Sequence, residues 1–213
     1  MTPQQLFNHL RARPAYIVRY YQLTIAGGPV DAWTQFAFAP RVGVTNPRPG
    51  RFFGRLNMHR AQAFRLTHAP LPGPPHVFPA YNVRMQNAGT YAIAALNGLL
   101  LPEPGPPALM LTGQLSGCTF CCKRVGGGVL AAHLRPAAGG GAGLALNLSV
   151  RNNGRFAGHA GPLDGVYGRM QYNGLGGFAR AAVVGSRIGG QWQFYGQEYN
   201  NATHQILSTM RIL

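Results

Sequence analysis

Glycine and proline interrupt this chain too often for long regular elements. The 213 residues include 30 glycines and 17 prolines, and both residue types destabilise helix interiors. The hydrophobic share of 46% is nevertheless too high for a disordered chain. The sequence therefore predicts many turns and short strands, with residues 1–213 folded as a single domain.

The amino-terminal half predicts helices and strands in mixture. Thr2, Pro3 and Gln5 form a helix start, with a hydroxyl cap, a proline at the first helical position and a glutamine three residues after the cap. The helix should end before Pro14. The further expectations are strands at residues 16–25 and 33–38, connections at 41–51 and 71–75, a helix or a strand pair at 52–66, and a buried helix within 83–101.

The carboxy-terminal half predicts mainly antiparallel strands. Leu144, Leu146, Leu148 and Val150 alternate strictly with smaller or polar residues, the pattern of a half-buried strand. Further strands are expected at residues 165–172, 178–184, 191–196 and 205–213, with hairpin turns at residues 173–174 and 189–190. The fold class predicted from both halves is α+β, a mixed β-sandwich flanked by helices.

The stretch from residue 111 to residue 135 concentrates reactive side chains. It contains all three cysteines, the single lysine and His133. Residues 109–111 predict a buried strand that leads into a turn at Ser116 and Gly117. Residues 126–128 are glycines that permit a reversal, and residues 129–134 predict the returning strand. Such a hairpin would bring Cys118 and His133 side by side.

A cysteine beside a histidine is the arrangement of an activated thiol. The imidazole takes the thiol proton, the sulfur attacks a carbonyl carbon, and main-chain N–H groups in a tight turn, here at Ser116 and Gly117, stabilise the oxyanion. Since no carboxylate lies near the hairpin in sequence, the group that orients His133 should be a hydroxyl, an amide or a main-chain carbonyl. Thr112, on the adjacent strand, fits this role and equally fits that of an ordinary β-branched strand residue. His159 is the reserve base.

Two other interpretations of these cysteines stay open. Cys118 can be a buried structural thiol, and Cys121 and Cys122 suit packing on opposite faces of one strand. Cys118, Cys121, Cys122 and His133 also offer soft ligands for zinc. Three cysteines within five residues of one strand cannot all converge on one ion, so we predict neither a metal nor another cofactor.

The motif Leu115-Ser116-Gly117-Cys118, followed by His133 on the next strand and preceded by Thr112, resembles the site of a toxin group. This group comprises cytotoxic necrotizing factor and Burkholderia lethal factor, bacterial toxins that deamidate one glutamine of a host protein. The similarity covers about 25 of the 213 residues. It implies that Cys118, His133 and Thr112 form the catalytic site of a protein-glutamine deamidase.

The resemblance also implies a biological setting. The protein would be a bacterial virulence effector that acts in a host cytosol, and the sequence shows no conventional secretion signal. Transglutamination is a possible side activity if an amine replaces water. A chemoreceptor-type glutamine deamidase, whose site also has a threonine six residues before the cysteine, is the weaker alternative within this chemistry.

The charge predicts an acidic partner. Nineteen cationic residues stand against four acidic ones, giving a formal net charge of +15, and the partner would be a host protein with an acidic or nucleic-acid-associated surface. An arginine-rich nucleic-acid-binding module without catalysis is the alternative, with residues 20–21 and 192–195 as stacking candidates. A compositional bias explains the scattered arginines equally well. No apolar run is long enough to span a membrane.

Overall fold

A computed structural model of the chain describes residues 2–26, 32–40, 47–52, 55–60, 63–67, 77–88, 95–137, 142–172 and 179–213. Within these ranges the chain forms three helices and fifteen strands. The helices are α1 (Pro3–Ala12), α2 (Pro14–Tyr20) and α3 (Ala142–Asn153). The strands are β1 (Gln22–Ala26), β2 (Ala32–Pro40), β3 (Pro47–Phe52), β4 (Arg55–Arg60), β5 (Ala63–Thr67), β6 (Val77–Val83), β7 (Met85–Asn87), β8 (Leu99–Pro102), β9 (Leu109–Leu115), β10 (Thr119–Val125), β11 (Gly128–Arg135), β12 (Gly165–Tyr167), β13 (Ala179–Ile188), β14 (Gln191–Asn200) and β15 (Ile206–Arg211).

The strands form a large sheet, a small sheet and a separate pair. The large sheet has eight strands in the order β1-β5-β2-β6-β9-β13-β14-β15. The small sheet has the order β12-β10-β11-β7, and β8 pairs with the part of β11 that β7 leaves open. Strands β3 and β4 pair with each other. Both larger sheets are mixed, since β1–β5, β6–β9 and β7–β11 are parallel pairs.

Three apolar clusters stack these elements in layers. The first lies between the large sheet and helices α1 and α2, where Leu6, Leu10 and Ile17 are fully buried. The second fills the space between the two sheets and includes Phe120 and Trp192. The third lies between the small sheet and α3. The chain is therefore an α+β sandwich flanked by helices, as the sequence predicted; the assignment of residues 1–213 to one domain stays a prediction.

Helix α1 follows the sequence signals closely. The Thr2 hydroxyl accepts from the Gln5 N–H at 3.2 Å, and the Gln5 side chain accepts from the Thr2 N–H at 2.8 Å, which completes a capping box. The helix ends before Pro14, as expected. Among the described residues, no helix combines the length and the apolar character that crossing a bilayer requires.

Helix α3 replaces a predicted strand. The alternation of leucines at residues 144–150 favoured a strand, but these residues are helical, and Leu144 and Leu148 are about 40% exposed. The buried face of the helix instead carries Gly143, Leu146, Asn147 and Val150, at helical spacing. A glycine and an asparagine on the buried face hid this period from a count of apolar residues.

Two other elements also differ from the sequence prediction. The strand expected at residues 16–25 is divided, because residues 14–20 form α2 and only residues 22–26 form a strand. The helix expected within residues 83–101 is absent from its described parts, which contain β7 and β8. Strand β8 is held by its pairing with β11, a contact between segments distant in sequence, which overrides the local helical preference.

The other predicted strands and turns are confirmed in part. Strand β2 confirms the strand at residues 33–38, and β4 and β5 decide residues 52–66 in favour of strands, not a helix. Residues 47–51, expected to be part of a loop, lie in β3. The strands expected at residues 178–184, 191–196 and 205–213 correspond to β13, β14 and β15, whereas only residues 165–167 of 165–172 are extended. The turn at Gly189 and Gly190 is confirmed, whereas residues 71–75 and 173–174 lie outside the described residues.

Candidate active site

The hairpin of β10 and β11 places Cys118 and His133 on one face of the small sheet. His133 is the cross-strand partner of Phe120, and Cys118 lies two residues before Phe120, just ahead of β10. Because side chains two residues apart on a strand share a face, Cys118 and His133 both point toward the large sheet. The hairpin and its turn at residues 126–127 are those predicted from the sequence.

Thr112 holds the imidazole of His133 from the opposite sheet. The Thr112 hydroxyl donates to the Val83 carbonyl at 2.6 Å and lies 2.7 Å from His133 Nδ1. The single hydroxyl proton is used by Val83, so Thr112 Oγ1 accepts from a protonated Nδ1. This contact fixes the tautomer and leaves the lone pair on Nε2. Thr112 lies on β9, the strand predicted from residues 109–111, but β9 belongs to the facing large sheet and does not pair with the hairpin as an adjacent strand would.

The irregular pairing of β9 accompanies this contact. Thr112 pairs with Val183 and Leu115 pairs with Ala181, so β9 has one extra residue between these two pairs. A bulge of this kind changes the direction of the side chains beside it and is common next to functional sites. Thr112 lies ahead of the bulge and faces His133 by regular alternation with Met110, whereas beyond the bulge Leu115 packs in the same cluster between the sheets and Gln114 lines the cleft described below.

His133 is a buried neutral base. The side chain is fully buried, and this burial lowers its pKa from 6.5 to about 4. Nε2 is also buried and has no hydrogen-bond partner among the described residues. A buried acceptor without a donor is costly, so this atom is a natural place for a substrate or thiol proton.

Cys118 is a neutral thiol in this structure. Only 3% of the residue is exposed, and its sulfur lies 3.8 Å from the Met85 sulfur. Burial raises the pKa of Cys118, while a main-chain hydrogen bond from Ser116 and the charge of Arg135 lower it by smaller amounts. The sulfur therefore keeps its proton in the resting site, and nucleophilic attack by Cys118 would require transfer of that proton to a base.

Tyr172 fixes the turn that carries Cys118. Its buried hydroxyl donates to the Cys118 carbonyl at 2.6 Å and accepts from the Gly117 N–H at 3.0 Å. Gly117 has a φ of +145°, which disfavours any side chain, and Gly143 of α3 packs against its carbonyl. The Gly117 N–H is therefore engaged and is not available to an oxyanion, whereas the Ser116 N–H is directed at the Cys118 sulfur.

A cleft opens onto this turn. It has a volume of about 420 Å³ and is lined by Met85, Gln114, Ser116, Gly117, Cys118, Arg135, Pro136 and Ala137. Met85 is about half-exposed and lies beside His133 in the register of β7 and β11. A side chain that enters the cleft and displaces Met85 would meet the Cys118 sulfur.

The other candidate residues lie apart from this site. Cys121 packs in the cluster beside α3 and Cys122 in the cluster between the sheets, on opposite faces as predicted. The described residues contain no group of three metal-ligating side chains. His159 is exposed and does not line the cleft. Of the stacking candidates, Trp192 is buried between the sheets, whereas Tyr20 is 43% exposed.

Three residues of the site were not singled out from the sequence. Met85, Arg135 and Tyr172 are separated from Cys118 by 33, 17 and 54 residues, and each reaches it through tertiary contacts. Strand alternation from His133 was a signal for Arg135, because residues 133 and 135 share a face. No local pattern pointed to Met85 or Tyr172.

Two sequence comparisons identify no relative. No protein-family model matches the chain, and no curated protein sequence matches it. The interpretation of the site therefore rests on its own geometry and on the motif described above.

We predict that iodoacetamide modifies Cys118 alone in the folded protein. Cys118 borders the cleft, while Cys121 and Cys122 are fully buried and burial raises the pKa of Cys121 to about 12. Peptide mapping by mass spectrometry after graded exposure measures the modification at each cysteine. Denatured protein, the control, should be modified at all three positions. Equal and slow labelling of all three in folded protein would contradict an accessible thiol.

The burial of His133 predicts a pH-dependent stability. Its pKa falls from 6.5 to about 4 on folding, so the unfolded chain binds more protons between these values. The free energy of unfolding should decrease as pH falls from 6.5 to 4, by about 3 kcal/mol from this residue. Urea titrations across this range should show a decrease for wild type that is smaller in His133→Asn. Parallel curves would disprove the assignment.

Proposed function

We propose that the protein is a protein-glutamine deamidase with Cys118 as nucleophile and His133 as general acid and base. The observation that carries the proposal is the contact of Thr112 with His133 Nδ1, which leaves the Nε2 lone pair available on the face that also bears Cys118. A histidine oriented by a neighbouring hydroxyl, a thiol at a turn and an adjoining cleft are the components that covalent amide hydrolysis requires.

The reaction begins with a change in the position of the Cys118 sulfur. The sulfur contacts Met85 in the resting site, and rotation about the Cα–Cβ bond, with movement of the half-exposed Met85 side chain, directs it toward His133. Diagonal neighbours on adjacent strands are about 7–8 Å apart at Cα, so the two side chains can meet. Catalytic hydrogen bonds often form only once a substrate is bound.

The chemical steps then balance without a cofactor. Cys118 attacks the carboxamide carbon of the glutamine while its proton passes to His133 Nε2, and the Ser116 N–H donates to the developing oxyanion. Collapse of the intermediate breaks the C–N bond, and the nitrogen takes the proton from His133 and leaves as ammonia. Water, deprotonated by His133, opens the thioester and gives glutamate and the free thiol. An amine in place of water gives a transglutaminase product.

The biological part of the proposal follows the motif and the charge. The motif resembles that of toxins that act inside host cells, which supports a bacterial effector that modifies a host protein in the cytosol. The formal net charge of +15 supports an acidic or nucleic-acid-associated partner. Tyr20, one of the stacking candidates, is exposed, as stacking on a base requires. The test below therefore also covers the nucleic-acid-binding alternative.

The proposal is tested by incubating a eukaryotic cell lysate with the protein in water enriched in heavy oxygen. Peptide mass spectrometry should show one glutamine converted to glutamate, with one oxygen from the water, and a primary amine added to the lysate should appear at the same position if transglutamination competes. Recovery of nucleic acid with the protein, without any modified glutamine, would replace this function with the binding module.

A further inference from the structure

Arg135 is the charged residue nearest the reactive thiol along the cleft. It ends β11 two residues after His133 and therefore shares its face, and it lines the cleft together with Cys118. The residue is exposed, and its charge acts on Cys118, whose pKa it lowers. A guanidinium so close to the thiol affects which charged groups enter the cleft.

The described carboxylates do not neutralise this charge. Glu103 lies 3.8 Å from the Arg124 guanidinium, and Asp164 accepts a hydrogen bond from the Arg124 main-chain N–H. Arg124 is six residues from Cys118, about 20 Å along the strand. Glu198 is nearly buried and accepts a hydrogen bond from Ser208. Within the described part of the chain, no carboxylate lies within ion-pair distance of Arg135. A carboxylate of a bound partner can therefore form that ion pair.

We propose that Arg135 makes the cleft selective for a glutamine that has a carboxylate side chain two residues away in the partner protein. The inference rests on the proposed function and assigns its substrate class, a glutamine in an acidic segment. The reacting carboxamide is neutral and goes to Cys118, while Arg135 stands across the strand pair from Cys118, at a spacing similar to that between side chains on one face of an extended peptide. A carboxylate two residues from the glutamine therefore falls beside the guanidinium, because side chains two residues apart in an extended peptide share a face.

Two alkylating reagents that differ in charge report the electrostatic potential at the Cys118 thiol without any substrate. Iodoacetate and iodoacetamide share a leaving group and differ in a carboxylate against a carboxamide. Both react with the same thiolate, so the ratio of their rates at Cys118 cancels any change in its pKa. Arg135→Gln should lower the ratio of iodoacetate to iodoacetamide by roughly threefold to tenfold at low salt. Arg135→Lys should largely preserve it.

The matched control is Arg151→Gln, which removes the same charge from the last turn of α3, outside the cleft. Its ratio should equal that of wild type. A ratio unchanged in Arg135→Gln, or lowered equally in both variants, would overturn the inference, because the effect would then be one of overall charge.

Peptides separate this inference from the proposed function. Synthetic peptides with one glutamine, flanked two residues to either side by glutamate or by lysine, are compared by the rate of ammonia release. Wild type should prefer the glutamate-flanked peptide, and Arg135→Glu should reverse the preference. Deamidation without dependence on the flanking charge would overturn the inference and leave the function intact. No deamidation of either peptide, with the alkylation ratio as expected, would overturn the function and leave the anion preference in place.

Discussion

Cys118→Ser should lower the rate of glutamine deamidation by about 10³-fold or more, with little change in melting temperature. Serine preserves the size and hydrogen bonding of the residue, but its hydroxyl is far less acidic than a thiol. His133 is oriented by a hydroxyl and not by a carboxylate, and burial lowers its pKa to about 4, so it is a weak base for a serine proton. The measurement is kcat/KM for the glutamine identified in the lysate, with thermal unfolding monitored in parallel.

Cys121→Ala provides the control for this substitution. It also removes a thiol, but from the face that packs against α3, so activity should persist while the melting temperature decreases. Full activity in Cys118→Ser would make Cys118 a structural residue. Arginine substitutions that reduce nucleic-acid binding would then be the next test.

His133→Asn should reduce the same activity by about 10²- to 10⁴-fold, the range for loss of a general acid and base. The asparagine amide retains a donor for Thr112 Oγ1, so the link between the two sheets is preserved while the basic Nε2 is lost. Steady-state kinetics should show the loss in kcat more than in KM, because His133 transfers protons in the transition state and does not bind the substrate.

His159→Asn makes the identical chemical change at an exposed histidine outside the cleft and should leave the rate unaffected. A loss in His159→Asn with normal activity in His133→Asn would transfer the role of base to His159. Equal, modest effects of both changes would contradict any specific histidine in the reaction.

The candidate site around Cys118 and His133 depends on both sheets. Cys118 and His133 are on one hairpin, but the group that selects the tautomer of His133 comes from β9 of the facing sheet, and the hydroxyl that holds the turn comes from Tyr172. Thr112→Val would therefore perturb the reaction through the imidazole, without touching the thiol. We therefore expect the proposed activity to require the assembled sandwich.

Local sequence determined the elements whose signals agree with each other. The capping residues fixed the start of α1, and three consecutive glycines with β-branched and apolar flanks fixed the hairpin of β10 and β11. Adjacent Cys121 and Cys122 had to face opposite sides of that strand, since side chains alternate. Thr112, Cys118 and His133 stand out from the sequence alone, and the predicted order of strand, turn and hairpin that connects them is the one the structure has.

Only the tertiary structure decided the elements whose local signals were ambiguous or misleading. Leucines at every second position fit a strand, yet α3 forms because its Gly143 approaches the Gly117 carbonyl and its other buried residues cover the small sheet. Burial against a neighbouring layer outweighed the alternation. In the same way, Met85 and Tyr172 reach Cys118 only through the packing of distant strands and turns. Contacts between residues far apart in the chain depend on which surfaces meet and leave no local pattern.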